Sequence, residues 1–167
     1  MATTNSFDVT STIDLQEVDN AVNQARKELA QRYDFKGSPA AIDLDARNNR
    51  LTVTAEDAFK LEALWEILST RMVRRGVAVK NLKRAEVTSA AGGTARQVIT
   101  LQQGIPTDAA RDIVKHLKEQ KLKKVQAAIQ ADQIRVSSPS KDELQAAMQS
   151  LRAADFGIAL QFGNYRS

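Results

Sequence analysis

The chain has 167 residues, 43% of them hydrophobic and 26% charged, with a formal net charge of +4 and no cysteine. The absence of cysteine excludes disulfides, thiolate catalysis and cysteine-ligated zinc. No apolar run approaches the roughly 20 residues of a membrane helix. Residues 1–93 carry 13 Lys/Arg against 13 Asp/Glu and residues 94–167 carry 11 against 7, so the whole excess falls in the second half. A modest positive field of this kind suits phosphate-bearing partners, or simply solubilises a surface.

Phe7 and Val9 alternate with Asp8 and supply a first strand. Val18, Val22, Ala25 and Leu29 recur at intervals of four, three and four, which predicts an amphipathic helix. Asp14, with Glu17 three positions on, reads as its N-cap and capping-box partner. Lys36-Gly37-Ser38-Pro39 breaks the pattern. Ile42 and Leu44 then alternate with Asp43 and Asp45, a turn follows at Arg47-Asn48-Asn49, and Leu51 and Val53 alternate with Thr52 and Thr54. That pattern predicts a hairpin with one apolar face. Leu61, Leu64, Trp65, Leu68 and Met72 align on a second helix ending near Gly76, and residues 78–87 form a weaker strand.

The second half runs the same programme. Ile99 and Leu101 mark a strand, and Pro106-Thr107 opens a helix with Ala110, Ile113, Val114 and Leu117 on one face. Val125, Ala127 and Ile129 form one arm of a hairpin that turns at Ala131-Asp132 into Ile134 and Val136. Ser140 and Glu143 form a capping box for a helix carrying Leu144, Ala147, Met148 and Leu151, and Leu160 and Phe162 mark a last strand. The halves match at a shift of roughly 83–88 residues, which identifies a duplication. Each copy reads β-α-β-β-α-β, the ferredoxin-like order. The predicted fold class is therefore α+β: two tandem ferredoxin-like domains, each a four-stranded antiparallel sheet with two helices on one face. The repeat alone divides the chain into 1–93 and 94–167, with Ala90-Ala91-Gly92-Gly93-Thr94 as the joint.

The candidate site lies where charge and an open sheet face coincide. In the first copy the alternation exposes Asp43, Asp45, Thr52 and Thr54, an acidic face that would repel phosphate. In the second it exposes Lys124, Gln126, Gln130, Arg135 and Ser137, which suit phosphates and base edges. Beside them run Lys115, Lys118, Lys121 and Lys123; Lys118 and Lys121 are expected in the last helical turn, where the helix dipole alone would favour them. The central strand positions Thr52, Thr54, Arg135 and Ser137 hold no aromatic residue, which argues against extended base stacking. Arg135 is a partial substitute through its planar guanidinium. Arg32 and Lys36 flank Tyr33 and Phe35, which either pack the loop or present charge beside a cleft. The one histidine, His116, reads as a solvated helix residue, and no phosphate-binding glycine loop is present. No catalysis, metal or cofactor is therefore expected.

The segments Ser6-Phe7-Asp8-Val9, Arg32-Tyr33-Asp34-Phe35-Lys36-Gly37, Lys121 to Gln145 and Phe162-Gly163-Asn164-Tyr165 closely resemble the YajQ family of bacterial nucleotide-binding proteins. The resemblance covers essentially the whole chain. It implies that the two domains exchange their N-terminal strands, giving domains 14–104 and 1–13 plus 105–167. It also implies a cytoplasmic, non-enzymatic protein that binds purine nucleotides, tRNA or cyclic di-GMP. The family's second hairpin usually reads Gly-Asp where this chain has Ala131-Asp132. Three expectations follow: a nucleotide effector, a structured-RNA binder, and an adaptor for a regulatory protein through an exposed strand edge. None calls for a membrane.

Overall fold

The structure, a computed structural model, describes residues 4–167. Nine strands and four helices follow in order: β1 (Asn5–Thr10), α1 (Leu15–Gln31), β2 (Ala41–Asp45), β3 (Arg50–Ala55), α2 (Ala58–Arg74), β4 (Leu82–Arg84), β5 (Thr88–Ser89), β6 (Ala95–Leu101), α3 (Thr107–Glu119), β7 (Gln126–Gln130), β8 (Gln133–Ser138), α4 (Lys141–Ala153) and β9 (Gln161–Arg166). They form two antiparallel sheets, ordered β2-β3-β6-β4, with β5 also on β6, and β7-β8-β1-β9. The protein is thus α+β with two tandem ferredoxin-like units and exchanged first strands. Among the described residues no helix is long and apolar enough to cross a membrane.

Strand pairing assigns the pieces. The repeat alone places Phe7 and Val9 in the first copy, but they lie opposite Val136 and Ile134 in the second sheet. Conversely, Ile99 faces Leu51 in the first. One compact unit comprises residues 13–102, and the other comprises residues 4–12 with 103–167. The Gly92-Gly93 stretch is therefore not a joint between copies. It turns a hairpin inside the first unit, where Ala90 N–H donates to Thr94 O at 2.8 Å and β5 pairs with β6.

Each unit has its own core. In residues 13–102, Val22 and Ala25 of α1 and Leu61, Leu64, Leu68 and Met72 of α2 cover Leu51, Val53 and Ile99. In the other, Ile113, Leu117, Ala147 and Leu151 cover Phe7, Val9, Ile134 and Val136. The first N–H groups of a helix lack intrahelical partners, and side chains supply one at the start of α1, α2 and α4, while α3 opens at Pro106 without a side-chain cap. Asp14 Oδ1 accepts from Gln16 N–H at 2.9 Å, Asp57 Oδ1 from Lys60 N–H at 2.7 Å, and Ser140 Oγ from Glu143 N–H at 3.2 Å. Glu17 does not close a capping box; its Oε1 accepts from Asn20 Nδ2 at 3.0 Å.

The β7–β8 hairpin is anchored at its tip. Ile105 N–H donates to Asp132 O at 2.8 Å, and Gly104 (φ +84°) packs against the same residue so tightly that a methyl group there would stand 2.5 Å from Asp132 Oδ2. Glycine is required at position 104 by both its backbone angle and this approach.

Exchange also redistributes charge. Residues 13–102 carry 14 Lys/Arg and 12 Asp/Glu, while 4–12 with 103–167 carry 10 and 8, so each unit has a net charge of +2. The open face of the first sheet is not simply acidic. Arg50 stands opposite Asp45, Lys83 opposite Thr100, and Arg96 opposite Thr54. The Asp45 carboxylate is itself occupied by Asn48, through N–H at 3.3 Å and Nδ2 at 2.8 Å.

Candidate functional site

The second unit carries a groove of about 620 Å³ between the C-terminal end of α3 and the edge strand β7. Its floor is apolar, formed by Val114, Leu117, Leu122, Val125 and Ala127. Lys118, Lys121, Lys123 and Gln126 stand on its rim, all exposed. The local sequence explains the arrangement. α3 ends at Glu119, so only Lys118 lies in its last turn. Lys121, expected there as well, lies beyond the helix with φ +57°, and this left-handed residue turns the chain back. Val125 N–H closes the return on Leu122 O at 3.2 Å. The turn thereby tucks Leu122 and Val125 against the helix and leaves Lys121 and Lys123 at the mouth. The helix dipole accounts for Lys118 but not for the two lysines after it.

The other sequence-selected residues are distributed more widely. Lys124 stays outside the groove, with its N–H 3.4 Å from Glu143 Oε1. Gln130 closes the hairpin opposite Gln133, and Ser137 lies between Ser6 and Gln126 on the face away from the helices. Arg135, on that same face, is not free for a ligand in the way its position suggests. Its Nε donates to Asp8 Oδ1 at 3.0 Å, and Asn164 Nδ2 donates to Asp8 Oδ2 at 2.6 Å. Asp8 is buried, and the Arg135 hydrogen bond holds its carboxyl below the usual carboxylate range; burial opposes this, and Asn164 assists it.

Arg32 and Lys36 belong to the first unit. Arg32 grips Asp34 with two hydrogen bonds of 2.9 Å, and these raise the guanidinium's pKa while lowering that of Asp34. Phe35 packs into the core beneath Arg32 and Lys60, whereas Tyr33 is 89% exposed. His116 is not a solvated helix residue either. Its Nε2 is 2.7 Å from Ser150 Oγ and its ring meets Phe156 edge-on at 5.5 Å, so it ties α3 to α4.

The sequence pattern marked the lysines and four of the floor residues as apolar, Val114, Leu117, Val125 and Ala127, but not Leu122, and not that the five share one groove. Leu122 is embedded among Lys121, Lys123 and Lys124, where charge hides it. Its spacing of three from Val125, just past a helix end, was the available signal.

The fold and groove define a class: a tandem ferredoxin-like protein whose second unit offers an apolar pocket rimmed by cations. The model of the family described as nucleotide-binding protein YajQ-like matches residues 5–166, and the chain belongs to that family. Curated relatives agree in length as well as sequence. It is 48% identical over 163 residues to a protein of Solibacter usitatus, covering 98% of each chain. It is 45% identical over 161 residues to one of Elusimicrobium minutum, covering 96% of this chain and 98% of that one. A third, from Alkaliphilus oremlandii, is 46% identical over 166 residues. Each of the three is named a nucleotide-binding protein.

Proposed function

We propose that the protein binds a purine nucleotide or cyclic dinucleotide in the α3–β7 groove and releases it unchanged. The observation that carries this reading is the pairing of an apolar floor with three lysines at one mouth. A base needs apolar walls for its faces, and phosphates need ammonium donors at the rim. A volume of about 620 Å³ falls within the usual range of small-molecule sites, roughly 300–1,000 Å³. The names of the relatives support the same ligand class. Lys124 lies close enough in sequence to add to the positive field without lining the pocket.

Titration calorimetry with ATP, GTP and cyclic di-GMP tests the reading. The wild type is expected to bind at least one of them, and the nucleotide is expected back intact on chromatography. Replacing Lys118, Lys121 and Lys123 together by Ala removes three partly exposed charge contacts at about 0.5–1 kcal/mol each, a loss of roughly 10- to 150-fold in affinity. Wild-type protein that binds none of the three ligands, or a triple variant that binds as tightly, refutes the assignment.

A further inference from the structure

The duplication supplies an internal comparison for the groove. The first unit has a hollow of about 380 Å³ at the equivalent place, between α1 and its own edge strand β2. The buried stripe Val22, Ala25, Leu29 of α1 matches Ala110, Ile113, Leu117 of α3 at a shift of 88. At that shift Arg26, Leu29 and Ala30 correspond to Val114, Leu117 and Lys118, and these are the helix residues that line the two hollows. On the strands, Ile42 faces Val53 and Ala127 faces Val136, so Ile42 and Ala127 are equivalent.

One exchange on the helix changes how the strand edge is met in the two hollows. In the first, Arg26 reaches across and donates from Nε, at 3.1 Å, and from Nη2 to Ile42 O. That carbonyl belongs to the outer side of an edge strand, where an unpaired polar group would otherwise face the hollow. In the second, Val114 stands in place of Arg26 and has no donor. The two-residue loop Ala131-Asp132 sets the register there, because such loops are flanked by a hydrogen-bonded pair, here Gln130 and Gln133. Gln126, Ala128 and Gln130 therefore turn their backbone groups toward β8, and Ala127 and Ile129 turn theirs outward. Among the described residues no backbone or side-chain group is bonded to the outward N–H and C=O of Ala127. Val125 N–H is occupied by Leu122 O at 3.2 Å.

From this difference we infer that the outward backbone edge of β7 around Ala127 reads the N1 edge of the purine base. The inference rests on the groove being the nucleotide site. The outward N–H and C=O of Ala127 place a donor beside an acceptor at the groove floor. Adenine presents a donor at N6 beside an acceptor at N1, and guanine presents an acceptor at O6 beside a donor at N1. Either base meets the strand edge with complementary groups while its faces rest on Leu122 and Leu117. The lysines then lie where the phosphates leave the pocket. In the first unit Arg26 occupies the same acceptor and Ala30 replaces Lys118, so that hollow has lost both halves of the recognition.

The test compares, on the full-length protein, whichever of ATP or GTP binds with its 1-methyl derivative and with ribose 5-triphosphate, which has no base. Methylation at N1 leaves the ring faces and phosphates intact but blocks the edge, so affinity is expected to fall about tenfold or more. Val114→Arg installs the first unit's arginine against Ala127 O and is expected to lower affinity for the parent nucleotide by a similar factor. Ribose triphosphate is expected to bind both proteins about equally. Wild-type binding that is indifferent to N1 methylation overturns the inference and leaves the groove assignment standing. Absence of any nucleotide binding to the wild type overturns both. The methylation arm uses unaltered protein, so the outcome does not depend on whether Val114→Arg folds.

Discussion

Asp8 shows how one side chain can look like a ligand contact while serving the fold. It sits on β1 within the open face of the second sheet and is 6% exposed. A buried carboxylate is tolerated only when its oxygens are bonded, and Arg135 and Asn164 each take one. The pairing fixes how this contribution depends on pH. The Arg135 bond holds the folded carboxyl below its ordinary value, so the stability it provides is complete above the unfolded value of about 3.9 and is lost as pH falls through the lower folded value. Arg135→Met is expected to cost about 1–2 kcal/mol at pH 7, a modest figure because a third of the arginine side chain (33%) is exposed. Urea unfolding at pH 7 and at pH 3 should show that penalty shrinking in acid. A penalty of equal size at both values would mean that the arginine acts through packing and not through Asp8. The sequence made Arg135 legible as an outward-facing cation on β8. Its partner was not legible, because the exchange of β1 into this sheet brings Asp8 beside it across 127 positions of chain.

At the scale of elements, alternation in the sequence foretold the β2–β3 and β7–β8 hairpins and all four helices, but not the β5–β6 hairpin at Gly92-Gly93, since a period of two or 3.6 depends only on which face is buried. The turns were less legible, because they depend on backbone angles that periodicity does not encode. The β7–β8 loop is the clearest case. Of its two residues only Ala131 has a positive φ, +56°, a sign pattern that matches the type II′ turn with glycine favoured at its first position. Alanine there holds its Cβ against the backbone, at about 1–2 kcal/mol. The strain persists because the tip is tethered, with Asp132 O bonded to Ile105 N–H and Gly104 packed beneath it. Ala131→Gly relieves the strain but frees the unfolded chain, which offsets part of the gain. A net stabilisation of about 0.5–1 kcal/mol is expected, seen as a higher urea midpoint at unchanged slope. A lower midpoint would show that the alanine methyl makes a contact worth more than its strain. The candidate site follows the same division. Its lysines could be read from composition, whereas the pocket beneath them depends on the left-handed turn at Lys121, which is neither glycine nor asparagine and gives no warning in the sequence.

For the whole molecule, the duplication was plain in the sequence but the partition of strands was not. β1 and β6 each alternate apolar and polar residues, and each meets a central strand through the same kind of contact: Val9 against Ile134, Ile99 against Leu51. Pattern alone cannot tell which sheet either one joins, because a strand's period describes its faces and not its neighbours. The pairing predicts where the chain can be cut. A fragment of residues 14–104 contains β2, β3, β6 and β4 in sequence and nearly all of the first core. A fragment of residues 1–93, the unit suggested by the repeat, lacks β6. That strand is central, flanked by β3 and β4, and its loss removes Ala95, Ile99 and Leu101 from the core and leaves the outer groups of β3 unpaired. Deleting buried apolar side chains costs about 2–5 kcal/mol for each large one, against total stabilities of about 5–15 kcal/mol for whole domains. The 14–104 fragment is therefore expected to unfold cooperatively in urea with dispersed amide resonances, and 1–93 to show neither. β1 is not expected to rescue the shorter piece, because Phe7 would have to replace the smaller, buried Gln97 opposite Val53. Cooperative unfolding of 1–93 would show that β1 can serve either sheet, and the exchange would then be a choice made by the full-length chain and not a requirement of its first unit.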